Sequence, residues 1–223
     1  MWDVRWYNPS TCVMVGGSMS GKTTLCLNVL RHAKEIFHDP RCAQNILFHY
    51  KQWQDSYEEI SKENIITEWI PNLPTIDSIL NKCMLYTHSG GSIIVIDDFG
   101  NQLTRDVQEL FSIYAHHTQS IVILLTQNLF PKNQFYRDIS LNATYIILFK
   151  NIRDKSQIMY YLRQLQPGKS QWLFEAFEDC TKDPYTHMLF DMHQLQKDHL
   201  RIRGNITPNN KLTTVWTEKK CLI

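Results

Sequence analysis

The chain has 223 residues, 43% of them hydrophobic, which is enough for one α/β domain with a well-buried core and no obvious second domain. Lys plus Arg (23) nearly balances Asp plus Glu (22), so no global positive field announces nucleic acid, and any such contact must come from local patches. Six Cys without a C-x-x-C pair fit reduced thiols better than a disulfide framework; no apolar run approaches the roughly 20 residues of a membrane span, and the N-terminus lacks a signal-peptide core.

In chain order, residues 1–9 carry Trp2, Trp6 and Tyr7 ahead of Pro9 and read as an aromatic arm that packs on something. Thr11–Val15 is the first predicted strand, followed by a helical pattern over Lys22–Ile36. Asn45–Tyr50 is the second strand, with helices over Asp55–Ser61 and Thr75–Lys82 behind it. The Ser89-Gly90-Gly91 turn feeds a third strand, Ser92–Asp97. A helix over Arg105–His117 then leads to Ser120–Thr126, and Thr144–Phe149 is the next strand. Helices over Lys155–Gln164 and Gln171–Cys180 precede a last strand, His187–Met192. Runs such as Ile93-Ile94-Val95-Ile96 and Ile121–Leu125 are apolar on successive residues, as strands covered on both faces are. The alternation predicts a mostly parallel sheet flanked by helices, in a single domain over 1–203. From 204 to 223, Asn, Pro, Lys and Thr mix without periodicity, which is expected of a flexible tail or a docking segment. Cys180, His187, His193 and His199 match no tight zinc-ligand spacing.

Between the first strand and the first helix lies Gly16-Gly17-Ser18-Met19-Ser20-Gly21-Lys22-Thr23, a complete G-x-x-x-x-G-K-[ST] phosphate loop, with Thr24 following. In that setting backbone N–H groups curl around phosphate oxygens and the helix dipole favours their charge. Lys22 is expected to reach the β/γ-phosphates of a nucleoside triphosphate, and the Thr23 hydroxyl to ligate Mg²⁺. Ile93–Ile96 ends in Asp97-Asp98. The C-terminal end of a parallel strand faces the ligand crevice, so Asp97 is expected to hold Mg²⁺ through water and Asp98 to act as general base on an attacking water. Thr126-Gln127-Asn128 caps the next buried strand, and an amide at that tip suits a sensor for the γ-phosphate or the lytic water. Asp98-Phe99-Gly100 spells the kinase D-F-G, but no H-R-D loop accompanies it.

With these residues in place the chain resembles a viral genome-packaging ATPase of the FtsK/HerA superfamily, most of all its poxvirus-type and Polinton/adintovirus-type members. The likeness runs from about Asn8 to Arg203. Its specific parts are Gly16–Thr24, Ile93–Phe99, Leu125-Thr126-Gln127-Asn128-Leu129-Phe130, and Arg137–Asn142 running to Leu148–Asp154. The resemblance implies an additional-strand P-loop fold of the RecA-like kind, with the Gln127 strand between those of the phosphate loop and Asp97. It also implies ATP and Mg²⁺ as ligands, and a homo-oligomeric ring, hexameric or pentameric, in which one subunit's arginine completes its neighbour's site. Arg153, and after it Arg137, are the arginines it offers here. Double-stranded DNA and the capsid portal or vertex proteins are the implied partners. The implied location is inside the infected cell, in the nucleus or a cytoplasmic virus factory, or in the virion. Met19 stands where many relatives carry Gly, and Asp98 where many ATPases carry Glu.

A translocating ring requires a cationic pore lining. Phe130-Pro131-Lys132-Asn133-Gln134-Phe135-Tyr136-Arg137 interleaves cations with aromatics beside the sensor strand, with Lys51 and Lys62 as alternatives. The expected function is therefore an ATP-hydrolysing DNA translocase that packages a viral genome. Two other readings stand beside it: an ATP-binding switch or assembly scaffold with weak hydrolysis, and a nucleoside or nucleotide kinase, for which the chain shows no Arg-rich lid.

Overall fold

The computed structural model describes residues 3–151, 153, 155–209 and 212–218. Trp2, Ile152 and Asp154 of the readings above lie outside the described residues, as do 210–211 and 219–223. The sheet is built from β1 (Ser10–Val15), β2 (Ile46–Tyr50), β3 (Glu68–Ile70), β4 (Ile93–Asp97), β5 (Ile121–Thr126), β6 (Tyr145–Phe149), β7 (His187–Asp191), β8 (Ile202–Gly204) and β9 (Thr214–Val215). Their order across the sheet is β3-β2-β4-β5-β1-β6-β7-β8-β9. The pairings from β3 through to β6 are parallel, and those of β7, β8 and β9 are antiparallel.

The successive apolar residues of the central strands follow from burial on both faces. Val13, Ile94, Ile96, Val122, Leu124 and Leu148 enter one core; Cys12, Met14, Val95, Ile123, Leu125 and Ile147 enter the other. Each fully buried branched side chain contributes about 1.5–3 kcal/mol relative to exposure. The second core is covered by α1 (Lys22–Arg31), α2 (Ala33–Ile36) and α3 (Asp55–Lys62). The first is covered by α4 (Ile76–Cys83), α5 (Arg105–Glu109), α7 (Tyr136–Leu141), α8 (Lys155–Leu165) and α9 (Ser170–Cys180).

Three predicted elements differ from the structure. The helix expected over Lys22–Ile36 breaks at His32, whose φ of −102° and ψ of 20° separate α1 from α2. The helix expected over Arg105–His117 widens into a π-helical stretch at Leu110–Tyr114 before α6 (Ala115–His117). The segment beyond Gly204, read as a tail, puts Thr214 and Val215 into the sheet beside β8. Trp216 is tied down there, its backbone N–H donating to the Ile202 carbonyl at 3.0 Å and its indole to Asp179 at 3.1 Å. The aromatic arm packs on the domain itself. Trp6 is buried and stacks on Tyr145 at 4.5 Å, and Tyr7 lies between the rings of His38 and His193 at 4.5 and 4.0 Å.

The consequence for chemistry is topological. β5 lies between β1 and β4, so the C-terminal ends of three adjacent parallel strands open on one crevice. That is the additional-strand arrangement that the resemblance implied.

Candidate functional site: a phosphate loop facing two carboxylates and an amide

The loop leaving β1 must turn sharply against β6. A Cβ at Gly16 would lie 2.5 Å from Ser20 Oγ and 2.7 Å from Phe149 Cβ, so only glycine fits. Gly21, with φ 94°, is the left-handed residue that admits the chain to α1. Met19 also adopts the left-handed region, φ 61°, at the exposed apex of the loop. The backbone there has the shape a glycine would take freely, and holding it with a side chain costs about 1–2 kcal/mol.

Lys22 is the first residue of α1, and its side chain folds back under the loop. Its Nζ donates to the carbonyls of Gly16 at 2.7 Å and Gly17 at 2.9 Å. Lys22 is 9% exposed; burial lowers its pKa, with Asp97 and Asp98 pulling the other way. The buried hydroxyl of Ser20 has no hydrogen-bond partner. A cation held against the loop, beside an orphaned hydroxyl and a helix N-terminus, is a cradle for an anion.

Asp97 ends β4, on the face covered by α1 and α3, and is 3% exposed. Its Oδ2 accepts from Thr23 Oγ1 at 3.0 Å and from the Tyr57 hydroxyl at 2.8 Å. Burial raises the Asp97 pKa, and these two hydrogen bonds oppose the rise by favouring the carboxylate. Tyr57 is fully buried on α3, and burial beside Asp97 raises its pKa far above the ordinary value. It is therefore a permanent donor. Sequence reading missed it, because Tyr57 and Ile60 look like the apolar stripe of a short helix. The available signal was the hydroxyl, which a buried position tolerates only with a partner.

Two successive strand residues would face opposite sides of the sheet. Asp98 escapes this by turning into the left-handed region, φ 64°, a conformation that Asp tolerates better than most residues. Both carboxylates thus line one hollow of about 360 Å³, together with Lys22, Thr23 and Gln127. Gln127, at the tip of β5, donates from Nε2 to Asp98 Oδ1 at 3.0 Å. Ser18 and Met19 line both this hollow and a larger one of about 790 Å³ on the other side of the loop, where Ser20, Gly21 and Thr24 also lie. Gly17 is exposed at the loop's start.

The fold brings Lys22, Thr23, Asp97, Asp98 and Gln127 together, and leaves Arg137 and Arg153 apart from them. Both arginines are exposed, on segments that follow the C-terminal ends of β5 and β6, and neither lines the hollow. The Phe130–Arg137 segment is anchored. Asn133 Nδ2 donates to the carbonyls of Asn101 and Leu103, both at 2.9 Å, and Phe130 packs on Tyr160 with ring centres 5.5 Å apart. Lys132, Lys51 and Lys62 are exposed. No helix among the described residues is long and apolar enough to cross a membrane.

The donor set fits a divalent cation of the Mg²⁺ kind. A buried carboxylate and a hydroxyl 3.0 Å apart are hard oxygen ligands, and Asp97 Oδ1 is left over once Oδ2 has taken its two donors.

No family model matches the chain, and no curated protein does. Solved structures do. The DNA-packaging ATPase B204 of Sulfolobus turreted icosahedral virus is 15% identical, with a TM-score of 0.54 over 94% of this chain and 97% of that one. The genome-packaging NTPase B204 of Sulfolobus turreted icosahedral virus 2, solved with sulfate, is 17% identical, with a TM-score of 0.52 and the same coverage. B204 of that virus in complex with ATP-γS is 16% identical at the same TM-score of 0.52. At such identity the likeness speaks for the fold. In its strand order and in the loop that β1 delivers to the crevice, the chain has the additional-strand P-loop NTPase fold, built like these viral genome-packaging NTPases.

Proposed function

We propose that this protein is an ATP-hydrolysing motor of the FtsK/HerA kind that drives double-stranded DNA into a viral capsid. The observation that carries the reading is the contact between Gln127 and Asp98, beside the Thr23–Asp97 pair and the Lys22 cradle. A nucleotide-binding scaffold requires the cradle alone. A polar sensor touching a second carboxylate is what hydrolysis requires.

Lys22 and the N–H groups of Gly16–Thr24 bind the triphosphate, the ammonium exchanging the Gly16 and Gly17 carbonyls for phosphate oxygens. Thr23 and Asp97 hold Mg²⁺, which when bound neutralises charge developing on the phosphates. Tyr57 and Thr23 fix the Asp97 carboxylate in one orientation. Asp98 accepts a proton from the attacking water. Gln127, whose Nε2 donates to Asp98 Oδ1, stands at the β5 tip where its amide also meets the γ-phosphate or the attacking water that Asp98 deprotonates. Arg153 or Arg137, lying outside its own chain's hollow, reaches the site of the next subunit in a homo-oligomeric ring. Such an arginine is worth about 10³–10⁵ in rate.

Asn133 links the segment after Asp98 to the segment after Gln127, which carries Lys132 and Arg137 toward the DNA backbone. A shift at Asp98 is thereby passed to the residues that grip. The proposed partners are double-stranded DNA and the portal or vertex proteins of the capsid, in the nucleus or virus factory of an infected cell.

Two results are expected. ATP hydrolysis by the purified protein at low salt rises with double-stranded DNA, and the stimulation steepens with protein concentration, as a site shared between subunits requires. A rate indifferent to both DNA and concentration points instead to a switch or scaffold. Tyr57→Phe keeps the packing and removes one donor from Asp97, so the Mg²⁺ concentration giving half-maximal rate rises about tenfold, the lower end of what outer-shell partners are worth. An unchanged Mg²⁺ requirement would reduce Tyr57 to a core residue.

A further inference from the structure

The two hollows flanking the phosphate loop share Ser18, Met19, Lys22, Thr23 and Gln54 in their walls but differ at their far ends. The smaller ends at Asp97, Asp98 and Gln127. A triphosphate whose γ end lies there directs its other end, sugar and base, across the loop into the hollow of about 790 Å³. This inference rests on the nucleotide reading above and extends it to the part of the ligand that the phosphate-binding residues do not touch.

The larger hollow has a built wall. Tyr185 stands at its mouth, 70% exposed, with its ring beside the loop: a Cβ at Gly21 would lie 3.5 Å from both Cβ and Cδ1 of Tyr185. Tyr185 is held at φ 63°, a conformation a bulky side chain rarely adopts. The turn that imposes it is tied at both ends. Thr186 Oγ1 donates to the Asp183 carbonyl at 2.6 Å, the Lys150 backbone N–H to the Thr186 carbonyl at 3.3 Å, and Lys150 Nζ to the Lys182 carbonyl.

Below Tyr185, His187 also lines the hollow and packs against Phe149 with ring centres 5.3 Å apart. Neither ring nitrogen of His187 reaches a partner at hydrogen-bond geometry, and burial lowers its pKa to about 4 against an opposing pull from the Tyr185 backbone. The His187 ring is therefore uncharged near neutral pH, and the cation of this hollow, Lys22, lies at its phosphate-loop end. Asn28 and Gln54 add amide groups. An exposed tyrosine ring rimmed by hydroxyl and amide groups, among them Asn28, Gln54, Ser56 and Asn209, next to a phosphate cradle, matches a nucleobase, whose face stacks and whose edge takes hydrogen bonds.

We propose that this hollow is the base subsite and that Tyr185 is its stacking residue. The base lies against the exposed face of the Tyr185 ring, with Asn28 and Gln54 at its edge. Stacking strength grows with the size of the π-face, so the site prefers purine to pyrimidine nucleotides.

The test compares two probes on the full chain, ATP and inorganic tripolyphosphate, which differ by the sugar and base. Wild type is expected to bind ATP more tightly than tripolyphosphate, and more tightly than CTP. Tyr185→Ala is expected to weaken ATP by roughly 5- to 100-fold while leaving tripolyphosphate within about twofold, and Tyr185→Phe to keep the ATP affinity of wild type. An unchanged ATP affinity in Tyr185→Ala overturns the proposal. So does a parallel loss of both probes, which makes Tyr185 a prop for the loop. A wild-type chain that binds neither probe overturns the nucleotide reading itself, and the subsite with it.

Discussion

Lys22→Ala is expected to lower kcat/KM for ATP at least about 100-fold while the fold survives. Lys22 is buried, and its Nζ donates to the Gly16 and Gly17 carbonyls, an arrangement that commits its charge to the loop that binds phosphate. Removing it takes away the one cationic side chain that lines the hollow among the described residues. It also takes away a desolvated charge, which costs free energy to bury, so the thermal midpoint should stay within about 5 °C of wild type. Steady-state hydrolysis and a melting curve on the same preparation separate the two effects. Retained turnover would remove Lys22 from the site, and a collapsed midpoint would make its role structural.

Asp98→Asn is expected to leave ATP bound and stop its cleavage. Asn tolerates the left-handed backbone at position 98 at least as well as Asp, and its carbonyl oxygen can still accept from Gln127 Nε2. The substitution therefore isolates one property, the ability to take a proton. ATP affinity should stay within about threefold, whereas kcat falls by roughly 10²–10⁴, the usual contribution of a general base. Nucleotide binding and single-turnover hydrolysis are the measurements. Full turnover in this variant would end the assignment of Asp98 as base.

The parts of the fold that the sequence announced are those where burial dictates composition. Ile93–Asp97, Ile121–Thr126 and Tyr145–Phe149 are covered on both faces, so their apolar runs match the strands to within a residue. The edges were silent. Glu68-Trp69-Ile70 and Ile202-Arg203-Gly204 become strands because neighbours offer hydrogen bonds, and a buried Arg203–Asp191 pair at 2.7 Å ties β8 to β7. Tyr136–Leu141 has six residues, too few for a helical period to show.

In the site, the phosphate loop and Asp97 were legible as motifs, since their chemistry fixes residue type and spacing together. Asp98 and Gln127 were readable as candidates too, but the left-handed turns that deliver Asp98 to the crevice and shape the loop at Met19 were not, because a backbone angle leaves no mark in residue type. Tyr57 was missed altogether, since it arrives on α3 from a helix that reads as core packing.

The proposal of a DNA motor is tested most directly by displacement of a triplex-forming oligonucleotide from double-stranded DNA. With ATP the protein should strip the third strand in a time that lengthens with the distance between its loading end and the triplex. With Asp98→Asn it should strip none. ATP hydrolysis that is stimulated by DNA yet displaces nothing at any distance would contradict translocation and leave a DNA-responsive switch in its place.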